Sequence, residues 1–314
     1  MRIAVVVNSN AGSLIGGVTS EMLEERLAAA GIDAFLEPDG SRPLAERIDA
    51  AAASGVDAVV VAGGDGTIAC AAQALAGTDI AFGILPLGTM NMLARDIGVP
   101  IDLAAAITAL AGGVVRRIDV GEVNGHVFLC NSVLGLASRL GVRRERERGK
   151  LGIAALWRMA VVAWRSARRY PAMTVDLEIG GRRRRLSTRA IAVVDNDYGE
   201  APGRLFARPR LDSGELVLYV TERMTPWRLV ALGFGLLVGR WRDRPGLTRI
   251  TATEFTIHSR RKLLRIMNDG ESLLVAPPLR YRIRPGALKV IVPPEAAADA
   301  AGGAAEPGRG RDAA

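Results

Sequence analysis

The chain has 314 residues, 49 % of them apolar and 24 % charged: too long for a small stapled domain, and able to bury the core of one large domain or two ordinary ones. Two cysteines, Cys70 and Cys130, and two histidines, His126 and His258, exclude a disulfide framework, a thiolate centre and a multi-histidine metal site, and leave little room for a Ser-His-Asp triad. Forty-one Lys and Arg against 33 Asp and Glu give a net charge of +8, which favours an anionic partner; carboxylates and backbone amides are left to carry the chemistry.

In chain order, Ile3–Val7 is a continuous β-branched run, as in a strand covered on both faces. A helix pattern follows at Thr19–Ala30, closed by Gly31, then strand Ile32–Leu36, helix Pro43–Ala53 and strand Ala58–Ala62. Helix Thr67–Ala76, strand Ile80–Leu85, and helices at Thr89–Ile97 and Leu103–Leu110 complete the half. Strands alternating with helices of about 10 residues predict parallel β-α-β units and a doubly wound α/β domain. The pattern then changes. Val115–Glu122 and His126–Asn131 flank Asn124-Gly125, a strong hairpin signal. Helix patterns at Ala137–Glu147 and Ile153–Arg168 interrupt, and Met173–Ile179, Gly180-Gly181 and Arg183–Val194 read as a second hairpin. Strands are predicted at Leu216–Val220, Ile250–Ile257, Leu263–Met267, Arg280–Arg284 and Leu288–Val292. The expected fold is α/β: an N-terminal doubly wound parallel-sheet domain over 1–121, a C-terminal antiparallel β-sandwich-like domain over 122–293, and a disordered Ala/Gly/Pro-rich tail over 294–314. The most apolar stretches, Ile153–Trp164 (broken by Arg158) and Leu229–Gly239, fall short of the roughly 20 residues that cross a bilayer. No signal-peptide pattern opens the chain, so the expected location is cytoplasmic, with contact at the inner membrane face.

The sharpest local signal is the strand Val59–Ala62 running into Gly63-Gly64-Asp65-Gly66-Thr67 and straight on into a helix. Glycines there let backbone approach a bulky anion, and the helix start offers unpaired N–H groups and a positive dipole end. The competing, plainer reading of the motif is a tight turn with Asp65 as N-cap. The motif is not alone: Asn8-Ser9-Asn10-Ala11-Gly12 ends the first strand, and Leu85-Pro86-Leu87-Gly88-Thr89-Met90-Asn91 ends the fourth. Three such turns on one sheet edge describe a nucleotide pocket. His126 and His258 read as structural or solvent-facing, Cys70 and Cys130 as core.

In this order, and with the late Asp269-Gly270-Glu271, the motifs resemble the soluble diacylglycerol kinase family, which includes sphingosine, ceramide and bacterial lipid kinases. The resemblance runs from about residue 1 to 293, with Asp119-Val120-Gly121, Phe128 and Asn131 fitting the family's domain junction and Leu211–Val217 a later strand-turn segment. The Gly-Gly-Asp-Gly-Thr element is shared with NAD kinases and phosphofructokinases; the combination is what is specific. The resemblance implies ATP- and Mg²⁺-dependent phosphorylation of a lipid hydroxyl, diacylglycerol foremost. Asn8, Ser9, Asn10, Ala11, Gly12, Gly63, Gly64, Asp65, Gly66, Thr67, Gly88, Thr89 and Asn91 would then hold ATP. Asp65 would act as a metal-associated acid, Asp269 as a metal-water or network partner, and Glu271 would be the proton acceptor, although the family pattern itself leaves open whether Asp269 or Glu271 takes the proton. The chain departs from the family at Ser9, where proline is usual, at Met92, where many members carry an acid, and at Asp212-Ser213 before Gly214, where two acids often hold a structural Mg²⁺; no such metal is expected here.

From Arg139 to Arg189 there are fifteen Lys or Arg against four Asp or Glu, a local excess of eleven positive charges, so the rest of the chain is net negative. Arg143, Arg144, Arg146, Arg148 and Lys150 precede an apolar helix pattern bearing Trp157 and Trp164, which suits an anionic bilayer surface; a solvated helix is the competing reading, and a nucleic-acid partner is not expected. The alternative functions are an NAD-kinase-like kinase of a soluble hydroxyl compound and a nucleotide-binding regulator with degraded catalysis.

Overall fold

The β-branched runs of the first third become a parallel sheet because nothing polar interrupts them. In the computed structural model, which describes residues 1–8, 20–36, 41–135, 172–199, 207–222, 228, 241–242 and 245–297, the chain divides into two compact units, Met1–Arg117 with Leu288–Ala314, and Ile118–Ala287. Among the described residues no helix is long and apolar enough to cross a membrane.

The first unit runs β1 (Ile3–Val7), α1 (Ser20–Ala29), β2 (Ala34–Leu36), α2 (Leu44–Ala53), β3 (Ala58–Gly63), α3 (Asp65–Leu75), β4 (Ala81–Pro86), α4 (Met92–Asp96) and α5 (Leu103–Ala111). Its strands lie in the order β2-β1-β3-β4, all parallel. Every residue of β3 and β4 is buried, as in a sheet covered on both faces by crossover helices. The chain leaves β1 toward β2 and comes back to β3 on its other side. The switch point therefore falls between β1 and β3, where open α/β sheets place their ligands. Helix α4 is shorter than the pattern over Thr89–Ile97 predicts, because Asn91 adopts a left-handed conformation (φ 48°) and the helix starts only after it.

The second unit follows with β5 (Val114–Val123), β6 (His126–Phe128), β7 (Asn131–Gly135), β8 (Met173–Ile179), β9 (Arg182–Asp195), β10 (Leu216–Glu222), β11 (Leu247–Ala252), β12 (Glu254–His258), β13 (Leu264–Asn268), β14 (Glu271–Val275) and β15 (Leu279–Val292). Its strands pair antiparallel in the order β14-β13-β7-β9-β8-β12-β15, with β10 and β11 branching from β9. The two hairpin turns expected from sequence form, with positive φ at Asn124, Gly125, Gly180 and Gly181. Phe128, Leu134, Ile191, Val193, Leu218, Phe255, Ile257, Ile266 and Tyr281 build its main core.

Several expectations are corrected. Ile250–Ile257 is two strands, since β11 pairs with β10 while β12 pairs with β15 and β8. Strand β14 is additional, and the two last strands are one, β15, passing through Pro285-Gly286. From Leu288 that strand belongs to the first unit, where Lys289 and Val290 pair in parallel with Ala81 and Phe82 of β4; the sequence boundaries at 121 and 293 differ from this division. The tail expected to be disordered opens as a helical turn over 294–297, with Ala297 N–H donating to Pro293 O at 3.1 Å. The rest of that tail, the helix patterns at Ala137–Glu147 and Ile153–Arg168, and the expected ATP contacts Ser9, Asn10, Ala11 and Gly12 lie outside the described residues.

Candidate nucleotide and acceptor sites

At the carboxyl ends of β1, β3 and β4 three turns are stitched together. Asn8 N–H donates to Ala62 O at 3.0 Å and Leu87 N–H to Gly63 O at 2.9 Å, extending the ladder one step beyond the strands. Asn8 Nδ2 donates to Thr67 Oγ1 at 2.8 Å, and Arg47 of α2 donates to Val7 O at 2.9 Å. The glycines are sterically required. A Cβ on Gly63 would meet Thr67 Oγ1 at 2.5 Å, and one on Gly88 would stand 2.6 Å from Gly64 Cα; the β3 and β4 turns touch backbone to backbone. Helix α3 starts here, and its first-turn N–H groups have no intrahelical acceptor, the geometry that favours an anion.

Asp65 locks the arrangement. It stands inside the first turn of α3, with Gly64 as N-cap, and its side chain reaches the other turn: Oδ2 accepts from Asn91 N–H at 2.9 Å and Oδ1 from Met92 N–H at 2.7 Å. Its carboxylate thus caps α4 rather than its own helix. Asn91, fully buried, turns its carboxamide inward on Gly88, accepting from Gly88 N–H at 3.0 Å and donating to Gly88 O at 2.9 Å. Of the residues expected to hold ATP in these two turns, Thr67 and Asn91 are buried and hold the turns to each other, while Thr89 is exposed and the Gly64–Gly66 backbone is partly so.

In the second unit Asp269-Gly270 is the two-residue turn of the β13–β14 hairpin, with φ of 47° at Asp269 and 94° at Gly270, and Glu271 opens β14. Asp269 does not face solvent. Its Oδ2 accepts from Leu129 N–H at 2.6 Å and its Oδ1 from Cys130 and Asn131 N–H at 2.8 and 2.9 Å, while its own N–H donates to Asn131 O at 2.9 Å. Burial pushes its acid pKa up, against the pull of the three amides and of Arg208. Arg208 forms a buried ion pair with Asp195 (Nη1 to Oδ1, 2.7 Å) and donates to Leu129 O as well. Asn131 Nδ2 reaches Tyr198 OH at 3.1 Å. Glu271, by contrast, is exposed at the start of β14. The hairpin tip therefore carries one anchored acid and one accessible acid.

Asp119 performs a similar service at the segment preceding β10. It accepts from Gly214 N–H at 2.7 Å and Gly286 N–H at 2.8 Å, and its own N–H donates to Leu211 O at 2.7 Å. Ser213, which replaces the family's second acid, donates N–H to Asn196 Oδ1 at 2.7 Å. Among the described residues no three His, Cys, Asp or Glu side chains gather into a metal-binding group. Asp65 and Asp269 spend both oxygens on backbone amides, so this donor set does not suit a protein-held Mg²⁺. Sequence reasoning missed Arg208, Asp195 and Asn268. The run Asp195-Asn196-Asp197 closing an apolar strand was the available signal for the second.

A four-stranded parallel unit with glycine turns at its switch point, followed by an antiparallel β-rich unit carrying an acid-bearing hairpin, is the two-part α/β architecture expected from sequence. Comparison with known proteins narrows this. Residues 2–123 match the model of the diacylglycerol kinase catalytic domain, and residues 141–292 that of the YegS C-terminal NAD kinase β-sandwich-like domain. This chain belongs to the diacylglycerol kinase catalytic-domain family. It is 41 % identical over 111 residues to a Pseudomonas aeruginosa protein described as a probable lipid kinase YegS-like (34 % of this chain, 36 % of that one). It is 43 % identical over 100 residues to a diacylglycerol kinase of Mycobacterium tuberculosis (31 % and 32 %). The matched stretch thus spans about a third of the length of either relative. A solved diacylglycerol kinase structure from Bacillus anthracis superposes with a TM-score of 0.63 at 18 % identity, over 94 % of this chain and 98 % of that one, a likeness of fold.

Proposed function

We propose that this protein is an ATP-dependent lipid kinase that transfers the γ-phosphate to a lipid hydroxyl, with diacylglycerol as the leading acceptor. The observation that carries the reading is the Asp65 brace. It presses two glycine turns together at a sheet switch point and leaves a helix N-terminus available for phosphate. Phosphoryl transfer asks a protein mainly for alignment and charge stabilisation. The Gly64–Gly66 backbone and Thr89 supply alignment, and the family resemblance assigns further nucleotide contacts to Asn8, Ser9, Asn10, Ala11 and Gly12. Mg²⁺ entering on the nucleotide neutralises phosphate charge. A lipid hydroxyl is a weak nucleophile and needs a carboxylate within hydrogen-bond reach; Glu271 is assigned that role because it is accessible. Asp269 and Asp65 are positioning residues, which replaces the metal-ligand roles expected from sequence.

The test is incubation of the pure protein with γ-labelled ATP, Mg²⁺ and total membrane lipid, followed by chromatography of the organic phase. A labelled phospholipid is expected, comigrating with phosphatidic acid when diacylglycerol is supplied alone. Label on NAD and on no lipid would replace this reading with the soluble-acceptor kinase.

A further inference from the structure

One residue beside the proposed base is poorly explained by folding alone. Asn268 ends β13 and is only 4 % exposed, yet among the described residues neither its Nδ2 nor its Oδ1 has a hydrogen-bond partner. A buried carboxamide with both ends unmet is a rare and costly arrangement. Strand register says what surrounds it. Asn268 stands directly opposite Glu271 on one side and directly opposite Ser132 on the other. Directly opposed residues of antiparallel strands share a face, with Cβ atoms about 5 Å apart. The row Ser132–Asn268–Glu271 therefore crosses β7, β13 and β14 on the core-facing side, the side of Leu264, Ile266 and Leu273. Its inner end is satisfied: Ser132 Oγ lies 3.0 Å from Tyr281 OH. Its outer end is the exposed Glu271.

We propose that Asn268 is the residue that recognises the acceptor lipid, binding a hydroxyl and an oxygen acceptor on the neighbouring carbon, as a glycerol ester presents them. The inference rests on the kinase reading above and deepens it. A carboxamide offers one acceptor and two donors. Its Oδ1 takes the hydroxyl proton's hydrogen bond until Glu271 withdraws that proton, and Nδ2 donates to the adjacent ester or ether oxygen. An acceptor with a lone hydroxyl leaves Nδ2 unmet and is rejected, since a site built to donate discriminates against a ligand that cannot accept.

The experiment compares wild type with Asn268→Leu, a near-isostere without polar atoms, using dioctanoylglycerol and 1-hexadecanol as acceptors. The wild type is expected to prefer dioctanoylglycerol in kcat/KM. Asn268→Leu should lose about ten- to hundredfold on it, the worth of one or two hydrogen bonds, and clearly less on hexadecanol, which forfeits only the bond to Oδ1, so that the preference for dioctanoylglycerol shrinks. Its melting temperature should equal or exceed that of wild type, because replacing an unmet buried amide by an apolar group relieves strain rather than adding it. Unchanged discrimination, or a melting temperature several degrees lower, overturns the proposal by making Asn268 a structural residue. If Asn268→Leu does not fold, Asn268→Ser is judged by the same criteria, and failure of both to fold also overturns it. Absence of any lipid phosphorylation by wild type sinks the kinase reading separately. Asn268 is then decided by the thermal shift dioctanoylglycerol induces: lost in Asn268→Leu, the proposal stands; equal in both proteins, it falls.

Discussion

Asp65 and Asp269 belong to different units and do the same physical work: each spends a carboxylate on backbone amides of a turn distant in sequence. Charge-assisted bonds of this kind are short and strong, and they hold glycine-rich or irregular backbone in one conformation. Replacing Asp65 by Asn turns an NH₂ toward an N–H. Asp65→Asn should therefore lower stability by about 2 kcal/mol, leave the protein folded, and weaken ATP binding at least tenfold, read by melting and by calorimetric titration. Glu271 and Asp269 separate in the opposite sense. Glu271→Gln removes a proton acceptor from an exposed position, so turnover should fall about a hundredfold or more while ATP affinity and melting temperature stay at wild-type values. Asp269→Asn should cost about 3 kcal/mol or more, the range of a broken buried network. Asp269 also gives stability a pH dependence. Because burial raises the folded-state pKa of Asp269 above the ordinary 3.8, its contribution to stability is full below that value and declines as pH rises through the raised pKa. The stability difference between wild type and Asp269→Asn should shrink over that interval in denaturant titrations. A difference that grows with pH would contradict the placement of Asp269.

At the scale of elements, what can be read from one sequence follows how local the cause is. The parallel strands of the first unit are legible because their burial on both faces writes itself as unbroken runs such as Ala58–Gly63. The hairpins at Asn124-Gly125 and Gly180-Gly181 are legible because a positive φ is a property of the turn residue. Strand breaks are less so. Nothing in Ile250–Ile257 announces that its halves pair with different neighbours, and β15 continues through Pro285-Gly286 despite a pair of turn residues. The candidate site divides in the same way. The glycine turns are visible as motifs, whereas the roles of Asp65, Asp269 and Asn268 depend on which backbone lies opposite, information carried only by the tertiary fold. Close approach between turns gives its own prediction. Gly88→Ala places a methyl 2.6 Å from Gly64 Cα and 2.7 Å from Asn91 Oδ1, so the two turns must separate. Loss of ATP binding with a melting temperature only a few degrees lower, measured as for Asp65→Asn, is the expected result. Retained affinity would mean that the contact between the turns is dispensable.

For the molecule as a whole, the uneven distribution of charge along the chain carries the prediction. An excess of eleven positive charges lies between Arg139 and Arg189, while the remainder of the chain is slightly acidic. Part of the segment is accounted for within the fold: Arg183 pairs with Glu178 at 2.9 Å and Arg185 with Asp176 at 3.0 Å across the β8–β9 hairpin. Both carboxyls are held below their ordinary pKa, chiefly by these hydrogen bonds. That local stabilisation is present above the usual carboxylate range and lost as pH falls through the lowered values. Arg143, Arg144, Arg146, Arg148 and Lys150 have no such sequence-local acids beyond Glu145 and Glu147. Each basic residue near an anionic leaflet adds on the order of 1 kcal/mol, so four of them can turn a passing encounter into residence at the surface where a lipid acceptor lies. Neutralising Arg143, Arg144, Arg146 and Arg148 to Gln should reduce co-sedimentation with vesicles of phosphatidylcholine containing a third phosphatidylglycerol about tenfold or more. It should leave turnover of a short-chain, water-dispersed diacylglycerol unaffected. The wild-type interaction should itself fade as salt rises from about 0.1 to 1 M and the screening length drops from about 10 to 3 Å. Equal sedimentation of both proteins would make these arginines a solvated face and move the search for the membrane contact elsewhere on the chain.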